Sequence, residues 1–379
     1  MRIGNFRRWL SDERENPHRL PTNPQANRLR RSPVGPCYDP RMSVKDVLII
    51  GAGPAGLATA ISAKQRGLDY LVLEKGVLVN SIYGFPSNMV FFTTPELLEI
   101  GGVPFVSPFE KPTRLEALRY YRRIVDTFDL AIEFDRTVTS MTRDAGDEDA
   151  PFTLETLSER GERSAYRARA VVVAIGYYDH PNLLGVPGEA LPHVSHYYKD
   201  AHSAYRKRVI VVGGKNSAAE VSLDLYRGGA KVTLVHRRAQ LASSIKYWVK
   251  PDIENRIAEG TIAARFETDV VEIRPDAVVV KPIAGGPVEA LPADAVFLMT
   301  GYHPDWEFLT AAGVSLDPHT RVPVYDPGTY ETNVPNLFVA GGVVAGRDTA
   351  PIFIENGRFH GEAIVGVVSA RLARQPVER

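Results

Sequence analysis

The sequence predicts an α/β protein in which one strand–turn–helix–strand unit occurs twice. The first copy opens at 46–60 (DVLIIGAGPAGLATA), where a short apolar run leads into a glycine-rich turn and a helical pattern. The second opens at 208–226, with the run RVIVV followed by the turn GGKNSA. Unbroken apolar runs of this length are typical of parallel strands buried on both faces. Two Rossmann-like dinucleotide-binding folds are therefore predicted.

The composition is that of a globular protein with balanced charge. Its 379 residues are 44% hydrophobic and carry 45 basic and 45 acidic side chains. This suits two or three domains and gives no sign of nucleic acid as a partner. The apolar runs are too short to span a bilayer and no signal peptide is evident, so we expect a cytoplasmic protein with no membrane partner. Cys37 is the sole cysteine, which excludes an internal disulfide, and the scattered histidines predict no metal site.

The N-terminal stretch 1–44 differs from the rest of the chain. It is rich in arginine and proline, contains no lysine and shows little apolar periodicity. This composition predicts a disordered tail. Translation that begins at Met42 is an alternative interpretation of the same stretch.

The first glycine-rich turn has the spacing G-x-G-x-x-G at Gly51, Gly53 and Gly56. These positions serve a tight turn, a close approach of backbone to a pyrophosphate, and close packing of helix on strand. The helix that follows presents free N–H groups and a positive dipole end to that pyrophosphate. A second strand, 70–73, ends in Glu74, where an acid can bind the ribose hydroxyls of a dinucleotide.

The second copy differs from the first in its charge. Lys215 stands where Gly53 stands in the first turn, and the strand 231–235 ends in His236-Arg237-Arg238 instead of an acid. Basic side chains at this point complement a 2′-phosphate, which an acid would repel. An acid-ended first fold and a basic second fold indicate FAD at the first site and NADPH at the second. A solvated basic turn is the alternative interpretation of the arginines.

Further elements follow from periodicity and turn residues. An amphipathic helix is predicted at 113–128, and a loop at 80–109 contains Tyr83, Phe91 and Phe92 as either core residues or a wall for a flat cofactor. A long last helix is predicted from Pro351 to Ala373, with the proline in its first turn. Strands are predicted at 131–139, 152–157, 164–169, 170–176, 295–301 and 336–340.

The residues in several of these stretches resemble those of the bacillithiol disulfide reductases, which are thioredoxin-reductase-like flavoproteins. The resemblance covers nearly all of 46–379. The glycine turns are shared by many flavoproteins, whereas other stretches are more specific to this group. The specific stretches are NSIY, GGKNS, GYHPD and IFIENG.

This resemblance implies a homodimer and a split domain organisation. The FAD-binding domain would comprise 45–181 and 303–379, with an NADPH-binding domain at 182–302 between them. The residues implied for FAD are Gly51, Gly53, Pro54, Ala55, Gly56, Glu74, Lys75, Asn80, Gly176, Gly341, Gly342, Asp348, Ala350, Pro351 and Ile352. Those implied for NADPH are Gly213, Gly214, Lys215, Asn216, Ser217, Ala218, His236, Arg237, Arg238 and Gly301.

The chain departs from its relatives at three points. It lacks the C-x-x-C pair of thioredoxin reductases, and Ala55 stands where the bacillithiol group often has a cysteine. Gly342 replaces the acid that flavoproteins usually carry after the late glycine, which leaves Asp348 as a candidate to hold the ribitol. No protein thiol is therefore predicted to take part in catalysis. A disulfide acceptor would have to reach the reduced flavin directly.

The sequence favours an NADPH-dependent FAD oxidoreductase that reduces a small-molecule disulfide such as bacillithiol disulfide. An NADPH–ferredoxin or quinone reductase needs no cysteine and is the main rival, so a small redox protein is a second possible acceptor. A flavin monooxygenase would carry F-x-G-x-x-x-H, which is absent around His196, and a flavin-bound redox sensor has only the arginine-rich tail in its favour. His303 and His360 are candidate acids near the flavin, with a structural role as the alternative.

Overall fold

The computed structural model describes residues 43–144, 147 and 150–374. The predicted N-terminal tail lies outside the described residues except for its last two positions, and there the first strand begins at Val44. The strands are Val44–Ile50 (β1), Tyr70–Leu73 (β2), Ile132–Glu133 (β3), Thr137–Thr142 (β4), Phe152–Leu157 (β5), Arg163–Val173 (β6), Val194–Ser195 (β7), Arg208–Val212 (β8), Lys231–Val235 (β9), Ala263–Arg265 (β10), Thr268–Ile273 (β11), Ala277–Pro282 (β12), Glu289–Pro292 (β13), Ala295–Leu298 (β14) and Leu337–Val339 (β15). The helices are Pro54–Gln65 (α1), Asn80–Gly84 (α2), Arg114–Phe128 (α3), Asn216–Arg227 (α4), Lys250–Ala258 (α5), Trp306–Ala311 (α6), Ile354–Gly357 (α7) and His360–Leu372 (α8).

The first strand–turn–helix–strand unit lies at the centre of a mixed sheet. Its strand order is β3-β2-β1-β6-β5-β4, and β15 also pairs with β6. The long strand β6 makes this branching possible, because its first half pairs antiparallel with β5 and its second half pairs parallel with β1 and β15. Buried side chains of α1, α3 and α8 cover one face of the sheet. The parallel part therefore has the buried, apolar strands that its sequence predicts.

The second unit forms a separate parallel sheet of order β10-β9-β8-β14-β7. Helices α4 and α5 pack on one of its faces, and the antiparallel sheet β11-β12-β13 packs on the other. Both repeats thus place a helix after the central strand and a parallel strand beside it. The predicted fold class, an α/β protein with two dinucleotide-binding folds, is confirmed.

The two repeats share one backbone contact at the end of their central strand. Gly51 has φ +104° and Gly213 has φ +147°, which is the region of backbone conformation that favours glycine. A Cβ at Gly51 would lie 2.6 Å from the Ala174 carbonyl oxygen, and a Cβ at Gly213 would lie 2.5 Å from that of Met299. Each carbonyl belongs to the residue directly after the neighbouring parallel strand, β6 for Ala174 and β14 for Met299. Only glycine therefore lets the turn pass this close to the next strand.

The amphipathic helix predicted at 113–128 is confirmed as α3. Thr113 caps its N-terminus in a capping box: its hydroxyl accepts a hydrogen bond from the Glu116 amide at 3.3 Å, and the Glu116 carboxylate accepts one from the Thr113 amide at 2.8 Å. Such caps stabilise a helix by about 1 kcal/mol. The cap fixes the point at which the aromatic loop before it ends.

Four predicted elements were wrong in extent. The strand predicted at 131–139 is two strands, because Asp135 adopts φ +56° between β3 and β4. The strands predicted at 164–169 and 170–176 are the single strand β6. The last helix begins at Ile354, not at Pro351, and is interrupted between α7 and α8. Pro351 is exposed and precedes the helix.

Two crossover segments connect the sheets and lie side by side. The Asn182 amide donates to the Gly301 carbonyl at 2.9 Å, and the Thr300 hydroxyl donates to the Asn182 carbonyl at 2.6 Å. Pro181 and Tyr302 form an isolated bridge at the same place. The chain therefore leaves the first sheet and returns to it through one narrow connection.

Close packing of α8 on α1 gives a first prediction. A Cβ at Gly361 would lie 2.5 Å from the Thr59 Cα atom, so Gly361→Ala should force the two helices apart. We expect the free energy of unfolding to fall by about 1–3 kcal/mol, as in overpacked cores, measured by urea denaturation. Gly366→Ala in the same helix is the control, since a Cβ there meets nothing within 4 Å. Equal losses in both variants would contradict this packing.

Candidate functional site

A single large cavity lies at the carboxyl ends of the parallel strands of both sheets. This is the edge at which open α/β sheets bind ligands. Most of the residues predicted to hold a cofactor line it. They are Gly51, Gly53, Pro54, Ala55, Glu74, Lys75, Asn80, Gly176, Gly213, Gly214, Lys215, Asn216, Ser217, His236, Arg237, Arg238, Gly301, Gly341, Gly342, Asp348, Ala350 and Ile352.

Five predicted residues are not among the residues that line the cavity, namely Gly56, Ala218, Pro351, His303 and His360. Two of them, Gly56 and Ala218, lie behind the cavity wall, where each helix packs against its strand. A Cβ at Gly56 would lie 2.0 Å from the Gly51 carbonyl oxygen, and Ala218 is fully buried beside Gly213. Their small size lets each helix start close to its strand.

Both glycine-rich turns lead into a helix whose first turn is open to the cavity. Neither α1 nor α4 has an acidic residue in its first turn or a side-chain hydrogen bond at its N-cap. The first amides of a helix have no acceptor within the helix, so those of Ala55 and Ser217 are available at the cavity wall. Two anion-binding helix ends therefore face one cavity.

Glu74 connects the end of β2 to the first turn. Its carboxylate accepts hydrogen bonds from the Ala52 amide at 2.7 Å and the Gly76 amide at 2.9 Å. Burial raises the pKa of Glu74, while these two amides and the nearby Lys75 oppose the rise. Lys75 itself is paired with Asp179 at 2.9 Å. An acid fixed in this way beside an open helix end fits the adenosine side of FAD.

The equivalent point of the second repeat is basic. His236 occupies the place of Glu74, and a Cβ at Gly214 would lie 2.2 Å from its ring, which explains why the second copy has glycine where the first has Ala52. Burial, and then the charges of Arg238 and Arg237, lower the pKa of His236. The two arginines are exposed and have no acidic partner within the described chain. Their free charges fit the 2′-phosphate of NADPH.

The space beside Gly342 is occupied by a tyrosine. A Cβ at Gly342 would lie 2.7 Å from the ring of Tyr177, so an acid at this position has no room. The Tyr177 hydroxyl is hydrogen-bonded to Thr349, and burial followed by the nearby Glu355 raises the pKa of Tyr177. Asp348, the predicted alternative, is exposed and accepts a hydrogen bond from the Ala350 amide at 3.3 Å. The sequence analysis did not predict Tyr177, although glycine in place of the usual acid at Gly342 indicated that another side chain fills this space.

The segment before α7 is held by an amide side chain and not by a continuous helix. The Asn356 side chain accepts from the Phe353 amide at 2.9 Å and donates to the Pro351 carbonyl at 2.7 Å. Ala350 and Ile352 line the cavity, whereas Pro351 does not. The four-residue α7 therefore provides no long helix dipole at this place.

Neither candidate catalytic histidine lines the cavity. The ring of His303 stacks on Trp306 with centroids 4.2 Å apart, and its Nδ1 atom lies 2.7 Å from the Pro304 carbonyl. His360 is 5% exposed, stacks on Tyr330, and its Nδ1 accepts a hydrogen bond from the Gly341 amide at 3.1 Å. Burial lowers the pKa of His360 to about 4. Both rings are therefore held by contacts with neighbouring residues, and a catalytic role for either stays an untested prediction.

Fold and cavity together define an oxidoreductase of the class with two dinucleotide sites. The model of the pyridine nucleotide-disulphide oxidoreductase family matches residues 48–341. The bacilliredoxin reductase Bdr of Bacillus subtilis is 42% identical over 332 residues, which cover 87% of this chain and 99% of that protein. The chain belongs to the pyridine nucleotide-disulphide oxidoreductase family, as the resemblance predicted.

Two solved structures are similar over the same part of the chain. The bacillithiol disulfide reductase Bdr of Bacillus cereus has a TM-score of 0.84 at 42% identity, covering 87% of this chain and all of that one. The Bdr of Staphylococcus aureus has a TM-score of 0.81 at 38% identity, covering 88% of this chain and all of that one. The protein is therefore a flavoprotein oxidoreductase that uses FAD and NADPH.

The described residues contain neither a candidate membrane span nor a candidate metal site. In residues 43–144, 147 and 150–374, no helix is long and apolar enough to cross a bilayer. The same residues contain no group of three or more His, Cys, Asp and Glu side chains arranged to hold a metal ion.

The basic end of β9 gives a prediction for cofactor choice. Replacing Arg237 and Arg238 by Ala should raise the KM for NADPH by about 10- to 100-fold, because charge-assisted hydrogen bonds to the 2′-phosphate contribute about 1.5–3 kcal/mol in total. The KM for NADH should change little. Steady-state kinetics with both nucleotides measure the effect. The adjacent, exposed pair Arg122 and Arg123 in α3 is the control, and wild-type protein that already uses NADH as well as NADPH would refute the assignment.

Buried His360 gives a prediction for pH dependence. A histidine whose folded pKa is depressed contributes stability that is fully present above about pH 6.5 and is lost as the pH falls towards 4, because the unfolded chain then binds the extra proton. At pH 5 the loss should be at most about 2 kcal/mol. Urea denaturation at pH 7 and pH 5 measures it. His360→Gln should show a smaller fall, and an identical fall in both proteins would contradict this account.

Proposed function

We propose that this protein is an NADPH-dependent reductase of a small-molecule disulfide. The observation that carries the proposal is the shared cavity, with an acid-ended glycine turn on one side and an arginine-ended turn on the other. The relatives named bacilliredoxin reductase and bacillithiol disulfide reductase support a disulfide as the acceptor. One NADPH, one proton and one disulfide give NADP⁺ and two thiols.

The residues of each turn have a separate task in this proposal. FAD, when bound, relays the two electrons between nucleotide and acceptor. Gly51, Gly53, the Ala55 amide and Glu74 bind its adenosine and pyrophosphate. Tyr177 and Thr349 supply hydroxyl groups to the part of the cavity beside Gly342. Gly213, Asn216, Ser217 and the arginines bind and orient NADPH. The Asn216 side chain supports this role, because it accepts from the Lys246 amide at 2.9 Å and donates to the Ser244 carbonyl at 3.2 Å, which fixes the loop after β9.

The proposed domains are 45–181 with 303–379 for FAD, and 182–302 for NADPH. Both boundaries fall on the paired crossover segments at Asn182 and Gly301, which supports them. The homodimer and the cytoplasmic location stay predictions.

The acceptor is proposed to react without a protein thiol. Ala55 lines the cavity in the first turn of α1, and Cys37, the sole cysteine of the sequence, lies outside the described residues. The protein would then contribute binding, orientation and exclusion of water around the reacting groups, and the acceptor would enter the cavity itself. A quinone or ferredoxin reductase has the same requirement for an open site and is the alternative outcome of the test below.

The test is anaerobic turnover with NADPH and a panel of acceptors: bacillithiol disulfide, ferredoxin, a soluble quinone and oxygen. We expect the highest kcat/KM with the disulfide, and two thiols formed for each NADPH consumed. A higher kcat/KM with ferredoxin or quinone would overturn the proposal.

Two variants test the absence of a thiol. Cys37→Ser should leave kcat/KM for the disulfide unchanged, since direct reduction uses no cysteine. Ala55→Cys places a sulfur in the first helical turn, and its thiolate should attack bacillithiol disulfide to give a mixed disulfide with release of one bacillithiol, detected by mass spectrometry. Loss of turnover in Cys37→Ser would show that a thiol mechanism operates.

A further inference from the structure

One wall of the cavity is aromatic and partly exposed. Phe92, Trp248 and Phe353 line the cavity and are 40%, 42% and 41% exposed. Phe92 and Phe353 meet edge to face with ring centroids 5.2 Å apart. The Lys111 ammonium lies 3.5 Å above the ring of Trp248. We call these four side chains the aromatic wall.

Lys111 forms no ion pair with an acidic side chain of the described residues. Its ammonium lies over the face of Trp248, and a cation held on a ring keeps its N–H donors free. Lys246 makes a contrast, because it lies 5.6 Å from the ring of Phe92 but is paired with Glu220 at 2.5 Å. The aromatic wall therefore offers one positive group, already oriented, to a molecule in the cavity.

The aromatic wall is built from both halves of the molecule. Phe92 and Lys111 precede α3 of the first half, and Trp248 lies between β9 and α5 of the second. Phe353 directly precedes α7, which packs against α1 and against the 3₁₀ helix that begins at Gly341. The wall thus extends from the proposed nicotinamide-nucleotide half to the segments proposed to hold the flavin, where an acceptor must arrive.

We propose that the aromatic wall is the acceptor subsite and that it selects a small disulfide bearing a negative charge. A carboxylate of the acceptor pairs with the Lys111 ammonium, and the remainder packs on the rings of Phe92, Trp248 and Phe353. This inference rests on the proposed disulfide reductase function, with the same balance of one NADPH, one proton and one disulfide for two thiols. It adds that the substrate is negatively charged and that Lys111 recognises this charge.

The test compares two disulfides of similar size, anionic 3,3′-dithiodipropionate and neutral bis(2-hydroxyethyl) disulfide. Lys111→Met should lower kcat/KM for the anionic disulfide by about tenfold, the size of one charge-assisted hydrogen bond, and leave the neutral one nearly unchanged. Lys111→Arg keeps the charge and should restore the preference. The rate of flavin reduction by NADPH without acceptor should be equal in all variants, which separates the acceptor subsite from nucleotide binding.

Lys199→Met is the matched control. Lys199 also lies over an aromatic ring of the other half, 5.4 Å from Tyr83, but it does not line the cavity. Lys199→Met should leave kcat/KM unchanged for both disulfides. The subsite would be overturned if Lys111→Met lowered kcat/KM equally for the two disulfides, or if Lys199→Met lowered it selectively for the anionic one. The proposed function would stand in either case. A wild-type protein that reduces bacillithiol disulfide but neither of these two would overturn the subsite alone, and one that reduces none of the three would overturn the proposed function as well.

Discussion

The structure depends on one close contact made twice, between a glycine at the end of a central strand and a carbonyl of the next parallel strand. Gly51 meets Ala174 and Gly213 meets Met299 at distances that leave no space for a side chain. Each contact lets its helix begin directly at the strand end, so that the first helical amides point into the cavity. Without this approach neither helix N-terminus would reach a bound pyrophosphate.

One pair of facing positions sets the charge at the strand end of each repeat. In the first, Ala52 donates its amide to the carboxylate of Glu74; in the second, Gly214 makes room for the ring of His236. One strand end is therefore acidic and the other basic, although the backbone around them is alike. We propose that this difference lets one repeated fold bind two distinct dinucleotides, because a 2′-phosphate is favoured only at the basic end.

Local signals predicted the parts of the structure that repeat. Apolar runs, glycine spacing and the residues at positions 74 and 236 are local in sequence, and they predicted the sheets and a set of cofactor-binding residues most of which line the cavity. The interruption of the last helix was missed because it depends on the Asn356 side chain, which bonds backbone on either side of Phe353. Tyr177, Lys111 and Trp248 were missed because their importance comes from contacts between segments far apart in sequence. The stacking of His303 on Trp306 and of His360 on Tyr330 could not be predicted, because the sequence does not reveal which rings come into contact.

The account as a whole requires one two-electron centre per chain, since no redox-active thiol pair is available beside the flavin. The most direct measurement is an anaerobic titration of the FAD-loaded protein with NADPH, followed by the flavin absorbance. One NADPH per flavin should complete the reduction, with no further NADPH oxidised in the absence of an acceptor. Oxidation of a second equivalent of NADPH per flavin would reveal another two-electron centre and contradict the account.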